Sequence, residues 1–355
     1  MKKYRTLKNR NNVNVDMYIC ETEDEKCIIA ISELLKNNAE MFVETYNSGN
    51  KQRKNYEENV QDAISEHGNQ IENILLDAIT DFPVVMPIIP DIIDMPDFQQ
   101  LSLEAVRNFR IHEKTLKCIE DARKKINKIT GKKVKEKIFL NGYSASGVFA
   151  QRFALIYPET IGRCLIGGAA GSIPVPTKKI KYPIGIEDYE KLFGKKFDFE
   201  EYKKIKFGYY VAEKEEKEPG NWSIDGERCN KNDGKIRAPM HDMSFREITM
   251  PKEVGKKQRE LLGQTMNERY KNSIDINKKL GIDIEGIILK GADHGNIFNP
   301  QKTTTSQFLV KQLLEFHKNN ENTVQLNPKG EGCCENLDLS FQNERNKQRE
   351  DDYIR

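Results

Sequence analysis

The stretch Ile138-Phe139-Leu140-Asn141-Gly142-Tyr143-Ser144-Ala145-Ser146-Gly147-Val148-Phe149 limits the choice of fold more than any other part of the chain. A short apolar strand, Ile138 to Leu140, runs straight into a turn of small residues around a serine. A segment of helical character, Val148 to Ile156, follows until Tyr157-Pro158 stops it. A strand that reverses into a helix over so few residues puts the centre of the turn in a strained backbone region. The turn closes only if the residues two before and two after that centre are small enough for strand and helix to meet. Around Ser144 those neighbours are Gly142 and Ser146, which fit. Around Ser146 they are Ser144 and Val148, and a valine does not fit. Ser144 is therefore the candidate nucleophile. A turn of small residues can also be plain close packing, so the order of the surrounding elements has to decide.

That order is an alternation. Residues 1–15 are polar and read as loose, and MYICE and KCIIAIS on either side of a TEDE turn read as a hairpin at a sheet edge, although 28–35 also suits a helix. Residues 41–46 read as a strand that breaks into Asn47-Ser48-Gly49-Asn50. A helical spacing over 55–80 is followed by the compact apolar run PVVMPIIP at 83–90, of the kind buried inside a parallel sheet. A long amphipathic segment at 101–129 leads to the strand before Ser144. Further strands are expected at 163–171, 207–212 and 284–289, with helices at 252–280 and 304–317. Strand and helix in alternation call for an α/β fold, a mostly parallel central sheet with helices on both faces. In such sheets the chemistry gathers beyond the carboxyl ends of the strands, where Ser144, the 47–50 loop, the glutamates after Ala212, and His294 are all expected.

Two insertions interrupt the alternation. Residues 172–206 are rich in aromatics (Tyr182, Tyr189, Phe193, Phe197, Phe199, Tyr202), and 217–251 hold Trp222 and His241. At the catalytic edge they would be lid-like walls of a pocket, and elsewhere surface loops with packing of their own. Residues 1–318 are expected to form one domain and the polar stretch 319–355 a flexible tail.

Composition narrows the partners. In a chain of 355 residues, 57 Lys and Arg nearly cancel 55 Asp and Glu, leaving a net charge of +2. A dedicated nucleic-acid binder would show a basic excess, so none is expected as a partner. No stretch is long and apolar enough to cross a bilayer, and no apolar run follows the charged start, so neither a membrane partner nor a secretory signal is expected. The seven cysteines show no C-x-x-C spacing and are odd in number, which reads as reduced thiols and a cytoplasmic protein. Scattered cysteines and histidines, and glycines at 167, 168 and 171 without the lysine and serine of a phosphate loop, give no metal site and no cofactor.

A serine hydroxyl needs a base to take its proton, and the base needs an acid to orient it. Of the five histidines, His67 and His112 fall in helical segments, His317 ends the last one and His241 sits in the second insertion. His294 follows the last strand in Gly291-Ala292-Asp293-His294-Gly295, a loop of small residues able to bring the ring to the strand ends. His294 is the candidate base. The acid should follow the strand ending at Ala212, where a carboxylate a few residues on has the best reach; this favours Glu215, with Glu213 and Glu216 as alternatives. Asp293 leaves the backbone in a different direction from its neighbour and is a poor choice.

With Ser144, an acid near 215 and His294 in the order Ser, acid, His, the chain resembles the α/β-hydrolase superfamily, in particular bacterial serine esterases and depolymerase-like hydrolases. The likeness covers about 40–317. It implies a serine hydrolase that cleaves an ester-type acyl bond of a small-molecule or acyl-ester substrate. The backbone N–H of Ala145 would serve as one oxyanion donor and one from Ser48 or Gly49 as the other. The loop reads Tyr46-Asn47-Ser48-Gly49 where the family often has a His-Gly-Gly type, and the acid is Glu where Asp is usual. A serine peptidase or amidase on the same scaffold, or a catalytically silent binding protein, are the alternatives.

Overall fold

The computed structural model describes residues 2–8, 12–21, 26–45, 81–88, 101–169, 171, 173–214, 228–229, 236–237, 251–264, 266–292 and 294. The chain divides into two units, Met1–Ser306 and Gln307–Arg355, and every described residue belongs to the first. The helices expected at 55–80 and 304–317 and the tail at 319–355 lie outside the described residues, as do all but five residues of the second insertion.

The strands are β1 (Lys2–Lys8), β2 (Asn14–Glu21), β3 (Lys26–Ser32), β4 (Ala39–Glu44), β5 (Val84–Ile88), β6 (Val134–Tyr143), β7 (Ile161–Gly167), β8 (Lys206–Ala212) and β9 (Ile284–Leu289). They form one sheet in the order β1-β2-β3-β5-β4-β6-β7-β8-β9. The first three are an antiparallel meander, β3 pairs antiparallel with β5, and every pairing from β5 to β9 is parallel. After β4 the chain steps outward to β5, then crosses back past β4 to β6 and continues the other way. The pair β4–β6 is thus the topological switch, the place where a parallel sheet opens a crevice at its carboxyl edge.

Burial on both faces explains why β5 and the apolar part of β6 show no alternation. Met41, Val43, Val85, Ile138 and Leu140 look into one core. There they meet Cys118, Ile119, Ala122 and Ile126 of a long helix, Ile111–Thr130, and Phe149, Ala150 and Phe153 of the helix Ala145–Ile156. On the opposite face Phe42 and Phe139 meet edge to face, with ring centroids 4.9 Å apart.

We label the helices α1 (Leu103–Arg107), α2 (Ile111–Thr130), α3 (Ala145–Ile156), α4 (Tyr189–Phe193), α5 (Phe199–Lys203), α6 (Lys252–Leu262) and α7 (Met266–Lys279). Two expected helices are each split. The first breaks at Arg110, which takes a left-handed φ of 51° and pairs through its guanidinium with Glu113. The hydrophobic period runs on unbroken through that point, so nothing in the pattern marks the break. The second breaks at Gly263, φ 115°, which ends α6 and lets α7 start afresh.

Three sequence expectations change. Residues 2–8, read as loose, are the edge strand β1, whose Thr6 hydroxyl donates to Asp16 at 2.7 Å and whose Lys3 pairs with the same carboxylate. This edge strand carries lysines that discourage further pairing, and its half-buried side holds Arg5 and Leu7, so it lacks the apolar alternation that reveals inner strands. Residues 28–35 hold the end of β3 and not a helix. The aromatic insertion is packed instead of lid-like: Tyr182, Tyr189 and Tyr202 are buried. The Tyr189 hydroxyl donates to Ile156 O, the last residue of α3, at 2.8 Å, and Lys195–Glu159 and Lys137–Glu201 ion pairs lie nearby in the fold at 3.0 and 2.9 Å. All three contacts sit at the end of the sheet opposite Ser144, where α3 finishes and β7 begins. Residues 173–186 pack on α6 through Val175, Ile180 and Ile184 against Val254 and Leu262. In the second insertion, Arg228–Cys229 and Ile236–Arg237 form a short antiparallel ribbon. Among the described residues no helix is long and apolar enough to cross a membrane.

Candidate active site

The turn after β6 has the geometry that its sequence demands. Ser144 stands between β6 and α3 with φ 58° and ψ −122°, outside the regions a serine ordinarily occupies. A Cβ on Gly142 would fall 2.2 Å from Ser146 O, and one on Gly147 would fall 2.6 Å from Gly167 O. Glycine at 142 lets the first turn of α3 fold back onto β6, and glycine at 147 lets α3 lie against the end of β7. The Ser144 N–H is spent on Gly167 O at 2.8 Å, which extends the β6–β7 ladder by one residue. Ala145 opens the helix, so its N–H is among those with no acceptor inside it, at the positive end of the dipole. Ser144 and Ala145 are partly exposed, while Ser146, the rival, is buried.

Thr45, just beyond β4, secures this turn from the neighbouring strand. Its buried hydroxyl lies 2.9 Å from Asn141 O and 3.0 Å from Ser146 O, and its N–H donates to Asn141 O at 3.0 Å. Beside it the Asn141 amide donates to the Glu44 carboxylate. Burial pushes the Glu44 carboxyl up to about 7, against the pull of that hydrogen bond.

His294 arrives from the loop after β9, and its Nε2 lies 2.9 Å from Ser144 Oγ. The two side chains are separated by 150 residues of chain and meet at the carboxyl edge, beside the β4–β6 switch. The imidazole packs on Tyr143, the residue before the serine, with centroids 5.1 Å apart and planes inclined by 30°. The Tyr143 hydroxyl also donates to the carbonyl of His294, at 2.5 Å. Tyr143 also stacks on Tyr210 of β8, at 6.1 Å and 16°. Room for these rings comes from a glycine pair that ends β7. A Cβ on Gly168, φ 62°, would fall 2.9 Å from both His294 Cε1 and Tyr143 Cε2, and one on Gly167 would fall 2.0 Å from Tyr210 Cζ.

Of the expected acids, Glu215 and Glu216 lie outside the described residues. Glu213 directs its carboxylate to the backbone N–H of Gly291, accepting a hydrogen bond at 2.8 Å. With Glu213 N–H on Leu289 O and Lys214 N–H on Ala292 O, both at 3.1 Å, it joins the end of β8 to the loop that carries His294. Ser48, Gly49 and Asp293 also lie outside the described residues, as do His67, His241 and His317. His112 is a core residue: it is buried beside Tyr157 and Phe193, and burial lowers its imidazole to about 4. Among the described residues no group of His, Cys, Asp and Glu side chains is arranged to hold a metal ion.

Sequence reasoning singled out Ser144 and His294, which the structure brings together, but not Thr45, Tyr143, Tyr210 or Gly168. One signal for the last was in view, since the glycines at 167 and 168 close a strand next to the serine turn. Their meaning depends on which rings arrive from β6 and β9, and no local pattern carries that.

No protein-family model matches the chain, and no curated protein matches it. Among solved structures it is similar to a thermostable esterase, at 11% identity and a TM-score of 0.42 over 85% of this chain and 62% of that one. It is similar also to an arylesterase, at 12% identity and a TM-score of 0.43 over 84% of this chain and 82% of that one. A siderophore hydrolase from Aspergillus nidulans gives 12% identity and a TM-score of 0.43 over 84% of this chain and 92% of that one. The chain therefore spans 62% of the length of the first of these. The antiparallel entry, the parallel strands that follow with their helices, and the serine turn between β6 and α3 together make an α/β-hydrolase fold.

Proposed function

We propose that the protein is a serine hydrolase that cleaves an ester-type acyl bond through an acyl-enzyme. The observation that carries this reading is the 2.9 Å approach of His294 Nε2 to Ser144 Oγ, with the serine at φ 58° on the strand–helix turn. In this reading Ser144 Oγ adds to the acyl carbon while its proton passes to His294 Nε2. The same proton then goes to the departing alkoxide as the carbonyl re-forms, leaving the acyl group on the serine. Water, deprotonated by the same nitrogen, releases the acid and restores the hydroxyl.

The Ala145 N–H at the start of α3 supplies one oxyanion donor, and Ser48 or Gly49, a few residues past Thr45, supplies the second. A donor of this kind contributes about 3–4 kcal/mol of barrier lowering. Glu215 orients the imidazole, while Glu213 holds the loop through Gly291. The substrate is a small acyl ester. A reducing, cytoplasmic setting suits Cys20, Cys27, Cys118 and Cys164, which are buried and in no disulfide.

A fluorophosphonate probe tests the proposal directly. One adduct per chain, lost in Ser144→Ala, is the expected result, and nitrophenyl esters of increasing acyl length then rank the substrates against a panel of amides. Folded wild-type protein that takes no adduct would instead be a silent binding protein. An amide turned over faster than every ester would make it a peptidase or amidase.

A further inference from the structure

We propose that Tyr143 is the positioning residue for His294, gripping the base from the position next to the nucleophile. This deepens the serine-hydrolase reading and rests on it. An imidazole on a loop has two freedoms that spoil proton transfer: rotation about its own side-chain bonds, and travel of the backbone that carries it. Tyr143 restrains both. Its ring lies against the imidazole face at 5.1 Å, inclined by 30°, and so blocks rotation on that side. Its hydroxyl donates to the His294 carbonyl at 2.5 Å and so fixes the backbone of the same residue.

The grip is itself immobilised. Tyr143 is the last residue of β6, and the N–H of the next residue is tied to Gly167 O at 2.8 Å. Tyr210 of β8 stacks on it at 6.1 Å, and the Tyr210 carbonyl accepts the Gly168 N–H at 3.0 Å. Gly168 then leaves no side chain between the rings. Nucleophile and clamp are consecutive residues, so any movement of the turn carries the base's support along with the hydroxyl that the base must reach. In a relay the acid usually does this orienting through Nδ1. Here a ring face and the main chain of the histidine are held by a phenol.

The test compares wild type with Y143F, which keeps the ring and loses the donor, and Y143L, which loses both. Each is titrated with urea, and the rate of fluorophosphonate labelling is measured. In parallel, the His294 Hε1 signal is followed by NMR in histidine-labelled protein, assigned by its loss in H294N. The expected result is a labelling rate about tenfold lower in Y143F and about a hundredfold lower in Y143L, as for a reacting group displaced by up to an ångström. The His294 signal should keep its ring-current displacement in Y143F and lose it in Y143L. Y143F differs by one oxygen and keeps the test alive if Y143L does not fold.

Labelling within twofold of wild type in both variants would overturn the proposal. So would a His294 signal that is the same in all three proteins. If wild type takes no label, the hydrolase reading fails on its own, and the NMR comparison still decides whether Tyr143 holds the ring.

Discussion

Substituting Gly168 by alanine should separate the cost of a strained backbone from the cost of crowding the base, with Gly131→Ala as its measure. Both glycines are left-handed, at φ 62° and 66°. An alanine in that region costs about 1–2 kcal/mol, part of it returned because the unfolded chain is stiffer. Around Gly131, which ends α2, nothing lies within 4 Å of the added Cβ, so the backbone term stands alone. At Gly168 the same Cβ would lie 2.9 Å from His294 Cε1 and Tyr143 Cε2. Relaxed carbon–carbon contact needs about 3.5 Å, so one or both rings must retreat by roughly half an ångström. The Nε2–Oγ separation is 2.9 Å. Such a retreat takes it past the ~3.2 Å at which hydrogen bonding weakens. Urea titrations should find the two variants destabilised to within about 1 kcal/mol of each other. Fluorophosphonate labelling should be unchanged in Gly131→Ala and about ten- to a hundredfold slower in Gly168→Ala. Equal labelling in the two variants would refute the idea that Gly168 exists to leave room for the base.

The carboxyl of Glu44 is raised from 4.5 to about 7 by burial, so its share of stability is complete below 4.5 and is lost as pH rises through about 7. At 1.36 kcal/mol per pKa unit the loss is at most ~3 kcal/mol, less for a side chain that water partly reaches. Relative to wild type, Glu44→Gln should therefore gain stability between pH 4.5 and pH 8 in urea titrations, and parallel curves for the two proteins would rule this out. Thr45→Val keeps the shape and removes the hydroxyl that bridges Asn141 O and Ser146 O. It should cost about 1–2 kcal/mol and slow labelling of Ser144, and a variant as stable as wild type would show that the bridge is idle.

How much of this could be read in advance depended on whether a constraint was local. The serine turn was legible because its sterics act over five consecutive residues. A Cβ on Gly142 would fall 2.2 Å from Ser146 O, and no choice of tertiary structure relaxes that. His294 was legible for a weaker reason, since the end of the last parallel strand is on the same edge as the end of β6 whatever the details of packing. The edge strand β1 was not, because its half-buried side is made of Arg5 and Leu7 and shows no apolar alternation. Nor was the break at Arg110, where the apolar period continues across a single left-handed residue.

The aromatic insertion shows where pattern reading stops. Tyr182, Tyr189, Phe193 and Tyr202 at near-helical spacing describe equally a pocket wall and a patch of core. Which they are is set by the end of the sheet the segment reaches. Their anchors, Ile156 O for the Tyr189 hydroxyl and Leu101 O for the Tyr182 hydroxyl at 2.6 Å, were themselves unplaceable until α3 and the loop before α1 had been packed. The same holds inside the site. Tyr143 sits within the one motif that sequence could read, yet its contact is to a carbonyl 151 residues away. A motif fixes what the backbone must do at its own turn. The partners gathered there are chosen by the sheet order, which brings β6, β7, β8 and the loop after β9 to one edge.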